Sequence, residues 1–294
     1  MFELEMERLL AVLEEEKISI GEYALRVETE ESGITRREVL ARMKKSLDIM
    51  RESTQRAQEE PIQSVSGLTG GDAYRYSSYI HNGKSILGDV LSEGVAKALS
   101  CSEMNASMSR IVACPTGGSC GIVPAVLLSV SEHFNKSEEE TLMALFSAGG
   151  IGILIGSKAT VSGAEGGCQA ECGSAAAMAA GAVVELLGGK PEQAFHAAAM
   201  ALKNVLGLVC DPVAGLVEIP CIKRNASGVA NAMLCADLAL SGVKSRIPFD
   251  EVIGAMFAVG KALPSALRET ALGGLAATPT GKRLQKAVAK ASEE

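Results

Sequence analysis

The stretch Thr35-Arg-Arg-Glu-Val-Leu-Ala-Arg-Met-Lys-Lys-Ser-Leu-Asp-Ile-Met50 reads as a helix from its start signal and from its spacing. Thr35 and Glu38 form a capping box: the hydroxyl accepts from an orphan backbone N–H, and the carboxylate reaches back to the cap. Ile34 before the cap pairs with Val39 as a hydrophobic staple, and Leu40, Met43, Leu47 and Met50 recur at helical spacing. The same signature returns at Ser19–Glu22, where Ile18 faces Tyr23, and at Ser137–Glu140.

Further helices follow outward from these. Pro191 suits a first helical turn, where its missing N–H costs nothing. Phe195, Ala199, Leu202 and Leu206 then line one face, and Gly207 is the expected stop. Pro248 opens a helix with a stripe of Val252, Met256, Val259 and Leu263, ended by Pro264. The Ala- and Gly-rich run from Gly173 to Gly188 suits close helix packing. No stretch sustains the period-two alternation of a strand, and aromatics are only 3%, so large cross-strand partners are scarce. The expected fold class is mainly α, a helical domain with Gly-rich functional loops between buried helices.

Charge divides the chain unevenly. Residues 1–60 hold 25 of the 63 charged side chains, whereas 141–217 hold 8. The first stretch reads as a charged region of exposed amphipathic helices, and 61–294 as a helical catalytic domain with a buried centre, or the whole as one domain. A net charge of −7 and the absence of a basic stripe argue against nucleic acid. The apolar run Thr141 to Ser157 falls short of the roughly 20 residues of a membrane span, and the acidic start is unlike a signal peptide. A cytoplasmic, membrane-free protein is expected. Eight cysteines in a reducing compartment point to metal binding or catalysis rather than disulfides.

Several motifs fail on inspection. Gly83-Lys-Ser85 and Gly281-Lys282 lack the earlier glycine of a phosphate-binding loop, having Ser78 and Ala276 there. Gly150-Ile-Gly152 has Ile155 where a dinucleotide fingerprint needs its third glycine. Ser241-Gly-Val-Lys244 lacks the companion motifs of a serine nucleophile. His133 and His196 read as structural; His81, after a Gly-rich polar segment, is a weak candidate for a catalytic base.

Two Gly-rich loops remain, Ser66-Gly-Leu-Thr-Gly-Gly-Asp72 and Cys114-Pro-Thr-Gly-Gly-Ser-Cys-Gly-Ile-Val-Pro124. Successive backbone N–H groups in such loops can converge on a small carboxylate; a plain tight turn is the competing reading. Among the thiols, Cys101 and Cys235 read as core filling and Cys114 and Cys120 as ambiguous. Cys168, Cys210 and Cys221 sit in loops punctuated by Gly or Pro, the setting in which iron–sulfur ligands occur. Cys172, close in sequence to Cys168, competes for a ligand role.

Together, Ser66-Gly-Leu-Thr-Gly-Gly71, Pro115-Thr-Gly-Gly-Ser-Cys-Gly121, Gly167-Cys-Gln-Ala-Glu171, Cys210-Asp-Pro-Val-Ala-Gly215 and Pro220-Cys221 resemble the iron–sulfur-dependent L-serine dehydratases, and more closely the alpha subunit of their two-chain bacterial form. The similarity runs from about residue 20 to about residue 285. It implies an all-helical catalytic domain with a [4Fe–4S] cluster on Cys168, Cys210 and Cys221, and no pyridoxal phosphate. It implies deamination of L-serine to pyruvate and ammonia, with an open iron as Lewis acid for the hydroxyl. Ser66, Thr69, Gly70, Thr116, Gly117, Gly118 and Ser119 become the expected substrate contacts, with Gln169 and Glu171 supporting Cys168. A beta subunit is implied as partner, supplying the base from a Ser-Ser-Ser-His segment that this chain lacks. The C-terminal cysteine that caps the fourth iron in some single-chain members has no counterpart after Cys235. An L-cysteine desulfidase on the same cradle is one alternative; a non-catalytic cluster-bearing sensor or assembly subunit is another.

Overall fold

A computed structural model describes residues 1–291. Thirteen α-helices follow one another: α1 (Met6–Glu16), α2 (Ile20–Ser32), α3 (Arg36–Glu59), α4 (Asp72–His81), α5 (Asp89–Ala106), α6 (Ile122–His133), α7 (Glu138–Lys158), α8 (Gly163–Gly166), α9 (Ser174–Leu186), α10 (Pro191–Lys203), α11 (Cys221–Leu240), α12 (Phe249–Ala262) and α13 (Pro279–Ala291). Among the described residues there is no strand, only isolated bridges at Gln63–Gly70 and Cys210–Arg268. The fold is mainly α.

Helix α9 is the hub, packing against α6, α7, α10 and α11. Its Ala-rich sequence explains this position, because side chains no larger than a methyl let neighbouring backbones approach. A Cβ on Gly181 would run into Ile151 of α7 and stand 3.1 Å from the Ala194 carbonyl of α10. Helix α7, long and apolar enough to cross a membrane, instead packs on α2 and α9 and buries Leu145, Ile151, Leu154 and Ile155.

The caps form largely as expected. Thr35 and Ser137 make complete capping boxes. Ser19 accepts from the Glu22 N–H at 3.0 Å, but the Glu22 carboxylate is drawn away by Arg26 and Arg36, so this box is only half formed. The charged N-terminal region buries Leu9, Leu13, Ile20, Leu25 and Leu47 in the same core as α9. Two expectations need correction. Helix α10 ends at Lys203 rather than Gly207, since the turns from Asn204 carry Leu206 outward to 37% exposure. The Gly173–Gly188 run begins earlier, as a π-helical turn over Gln169–Gly173. Such turns recur at functional sites, and this one carries the residues after Cys168.

A smaller core of Ala57, Ala73, Leu99 and Ile222 seats α4 against α3 and α5 and brings in the first turn of α11 through Ile222. It thereby sets the Gly-rich loop before α4 beside the N-terminus of α11, where Cys221 lies.

Candidate active site

Cys168, Cys210 and Cys221 come from three separate connections and are all buried. Cys168 precedes the π-helical turn, whose position is held by Gln169. The fully buried Gln169 amide donates to the Gly166 and Met256 carbonyls at 2.9 and 3.0 Å and accepts from the Gly207 N–H at 2.9 Å. The Gln169 side chain thus clamps the Cys168 loop to α12 and to the chain leading to Cys210. Cys210 is pinned by backbone bonds to Leu267 and Glu269, at 2.9 and 2.7 Å. Cys221 opens α11, after a Pro220 whose preceding peptide is cis, as is that before Pro115.

The three thiols sense one another's charge. Burial first, then the charges of Glu171, Cys168, Glu269 and Cys221, push the Cys210 thiol far above its ordinary range. Burial and the charge of Cys168 push Cys221 up to about 12. Cys168 is moved the other way: its hydrogen bond with Cys172, 3.4 Å between sulfurs, favours the Cys168 thiolate, and Arg224 adds to this. Cys172 is held as the thiol by the same bond and by burial.

Arg224, one turn into α11, binds the Val209 carbonyl at 2.8 Å and the buried Asp211 carboxylate at 2.9 Å, joining the Cys210 and Cys221 segments. Asp211 also accepts from the Leu275 N–H at 2.7 Å. A methyl on Gly163 would stand 2.6 Å from Glu171 Oε2 and 3.0 Å from Cys210 Sγ, so this glycine keeps the space beside them open. Three such thiols make a soft donor set of the kind that suits an iron–sulfur cluster, in which each thiolate binds its own iron. Among the described residues no three His, Cys, Asp or Glu stand close enough to hold a single ion; one thiolate per iron does not require that.

Both Gly-rich loops converge here, each tied to a glutamate. In the first, Ser66 Oγ and Thr69 Oγ1 donate to the two oxygens of Glu218, both at 2.6 Å. In the second, Thr116 Oγ1 donates to Glu171 Oε1 at 2.9 Å and stands 3.1 Å from Ser119 Oγ. Burial raises the Glu171 carboxyl above its ordinary range, opposed by the bond from Thr116. Asn225 joins the second loop to Cys221, donating to the Gly118 and Cys221 carbonyls at 2.8 and 2.9 Å and accepting from the Gly121 N–H at 2.9 Å. The Gly117 carbonyl accepts from Asn105 at 3.1 Å.

Part of the backbone of these loops is already engaged. In the first, the N–H groups of Gly67, Leu68, Thr69 and Gly71 are already bonded to Ser64 O, Ser66 Oγ, Ser64 Oγ and Ile62 O. In the second, Glu171 Oε1 lies only 3.0 Å from where a Cβ of Gly118 would be. The loops bring carboxylates to the site. Beside the first lies a cleft of about 460 Å³, lined by Thr69, Gly70, Asp72, Arg75, Pro220 and Lys223 among others.

His81 is not brought to this cleft. Asp72, at the opposite end of α4, lines the cleft; His81, at about 1.5 Å rise per residue, lies roughly 13 Å along the helix, and its Nδ1 meets the Ser77 carbonyl at 2.7 Å. Sequence reading missed Glu218, Asp211, Arg224 and Asn225. A carboxylate inside Leu216-Val-Glu-Ile-Pro220, and polar residues just after Cys221, were the available signals.

The chain is similar to proteins of one family. The family described as serine dehydratase alpha chain matches residues 15–276. The probable L-serine dehydratase alpha chain of Bacillus subtilis (strain 168) is 48% identical over 283 residues, covering 96% of this chain and 94% of that protein. The L-serine dehydratase alpha chain of Peptoniphilus asaccharolyticus is 48% identical over 278 residues, 95% of each chain. The L-serine dehydratase of Mycobacterium tuberculosis (strain CDC 1551 / Oshkosh) is 40% identical over 283 residues, 92% of this chain but 60% of that longer protein.

Proposed function

Since the chain belongs to the serine dehydratase alpha chain family, we propose that it is the alpha subunit of an L-serine ammonia-lyase, converting L-serine to pyruvate and ammonia. The observation that carries the reading is the meeting of three buried thiols with two Gly-rich loops, tied together through Glu171, Asn225 and Glu218. Cys168, Cys210 and Cys221, all buried, would hold a [4Fe–4S] cluster. Such a cluster supplies a Lewis acid that eases departure of the substrate hydroxyl.

The protein's own groups bind and orient. Ser66 and Thr69, whose hydroxyl protons are committed to Glu218, offer lone pairs to the substrate ammonium. Gly70 lets the chain pass close to the cleft, and Thr116, Gly117, Gly118 and Ser119, in the loop tied to Glu171, would supply further substrate contacts. Holding ammonium and hydroxyl in fixed positions makes the elimination an oriented, effectively unimolecular event. The α-proton goes to a histidine base of a beta subunit. Water leaves, and the aminoacrylate tautomerises and takes up one water to give pyruvate and ammonia. The subunit works in the cytoplasm, where thiols stay reduced.

The test is anaerobic reconstitution with iron and sulfide, followed by a serine assay with and without the beta chain. Pyruvate formed only by the reconstituted pair is expected, and Cys168→Ala, Cys210→Ala and Cys221→Ala should each lose iron and turnover. Full iron content in any one of them removes that residue from the ligand set. Cysteine turnover outpacing serine turnover would replace the dehydratase reading with a desulfidase.

A further inference from the structure

We propose that Arg75 and Lys223 together form the anchor for the substrate's α-carboxylate and select for an amino acid over an amine. This rests on the serine reading above. The two residues reach the cleft from different helices, α4 and α11, and both pair with Asp72. Arg75 also donates to the Gly70 carbonyl at 3.1 Å, which ties its guanidinium to the loop that lines the cleft. Arg75 and Lys223 are the two cations among the residues that line the cleft, with Asp72 between them as their shared partner. Lys223 lies two residues after Cys221.

Neighbouring places for a carboxylate in this cleft are already engaged. The N-terminus of α4, an obvious anion site, is filled by the buried Glu103, which accepts from the Asp72 and Ala73 N–H groups at 2.6 and 3.3 Å. The first Gly-rich loop has bonded four of its N–H groups internally. Within the lining of the cleft, Arg75 and Lys223 are the groups left to attract a carboxylate. The ammonium end of the substrate then falls toward Ser66, Thr69 and Glu218, whose polarity is opposite. Guanidinium and ammonium groups of this kind recognise carboxylates through charge-assisted bonds.

The experiment uses the reconstituted complex with its beta chain. Calorimetry would measure glycine, which carries carboxylate and ammonium, against ethanolamine, which lacks the carboxylate. In Arg75→Gln and Lys223→Gln, glycine should bind about tenfold more weakly, the low end for a bond to a charged group at a solvent-facing site, while ethanolamine binding stays unchanged. KM for serine should rise in parallel with kcat nearly constant, the mark of lost binding rather than lost chemistry, and Lys223→Arg should retain most of the affinity. Unchanged glycine affinity in both Gln variants, or equal weakening of glycine and ethanolamine, overturns the anchor. Failure of the unmodified complex to turn over serine overturns the dehydratase reading instead, and leaves the calorimetric comparison to decide the anchor.

Discussion

Glu218→Ala isolates the long-range link that shapes the first Gly-rich loop. The Glu218 carboxylate is 4% exposed and receives two hydroxyl hydrogen bonds of 2.6 Å, from Ser66 and Thr69, across about 150 residues of chain. Bonds to a charged group contribute about 1.5–3 kcal/mol each. Against this, removing the carboxylate releases a buried charge whose partners are neutral hydroxyls, a desolvation cost of several kcal/mol. The half-buried hydroxyls can also rehydrate. A net loss of about 2 kcal/mol follows, which at roughly 2 °C per kcal/mol lowers the melting temperature by about 4 °C. The decisive measurement is a double-mutant cycle by urea unfolding, combining Glu218→Ala with Ser66→Ala and with Thr69→Val. Coupled residues in one network give interaction energies of about 0.5–3 kcal/mol, and at least about 1 kcal/mol is expected for each pair. Additivity within about 0.3 kcal/mol in both cycles would refute the link and with it the assignment of these hydroxyls to the ammonium end of the substrate.

Three other perturbations test the rest of the frame. Gly163→Ala pushes a methyl against Glu171 and Cys210; overpacking costs about 1–3 kcal/mol, and iron bound per chain after reconstitution should fall with it. Gln169→Ala deletes three buried hydrogen bonds; with partners left unsatisfied at about 1–3 kcal/mol each, it should destabilise as strongly as a core cavity and loosen the Cys168 loop, measured by unfolding and by hydrogen exchange at Gly166 to Gly173. Burial raises the folded-state pKa of Glu185, opposed by bonds from Ser147, Ile20 and Gly21. The folded chain therefore holds that proton more tightly than the unfolded one, and this contribution, complete below the ordinary carboxyl pKa, is lost as pH rises through the folded value. Glu185→Gln should accordingly lie further below the unaltered protein in stability at pH 4.5 than at pH 7; a gap that is constant or widens with pH contradicts it.

Most of the helical plan was legible in the sequence because its causes are local. Caps at Ser19, Thr35 and Ser137, the prolines at 191 and 248, and the apolar spacing after each act within a few residues. The three cysteines were likewise marked by the Gly and Pro around them. Helix ends were less readable: the final periodic residue of the α10 stripe, Leu206, lies past the last helical turn, since spacing alone does not reveal where the chain must turn toward Cys210. The burial of Leu9, Leu13 and Leu25 under a charged surface also depended on what packs over them.

The polar frame of the site was decided by tertiary structure. Glu218 meets Ser66 across 152 positions, Asn225 meets Gly118 across 107, and Glu171 meets Thr116 across 55. No local pattern encodes such pairs, because each exists only after the packing of α4 on α3 and α5, and of the π-helical turn beneath the second loop, has closed the intervening chain. The sequence named the loops and the thiols. Folding chose which carboxylates would meet the loops, Glu218 at the first and Glu171 at the second.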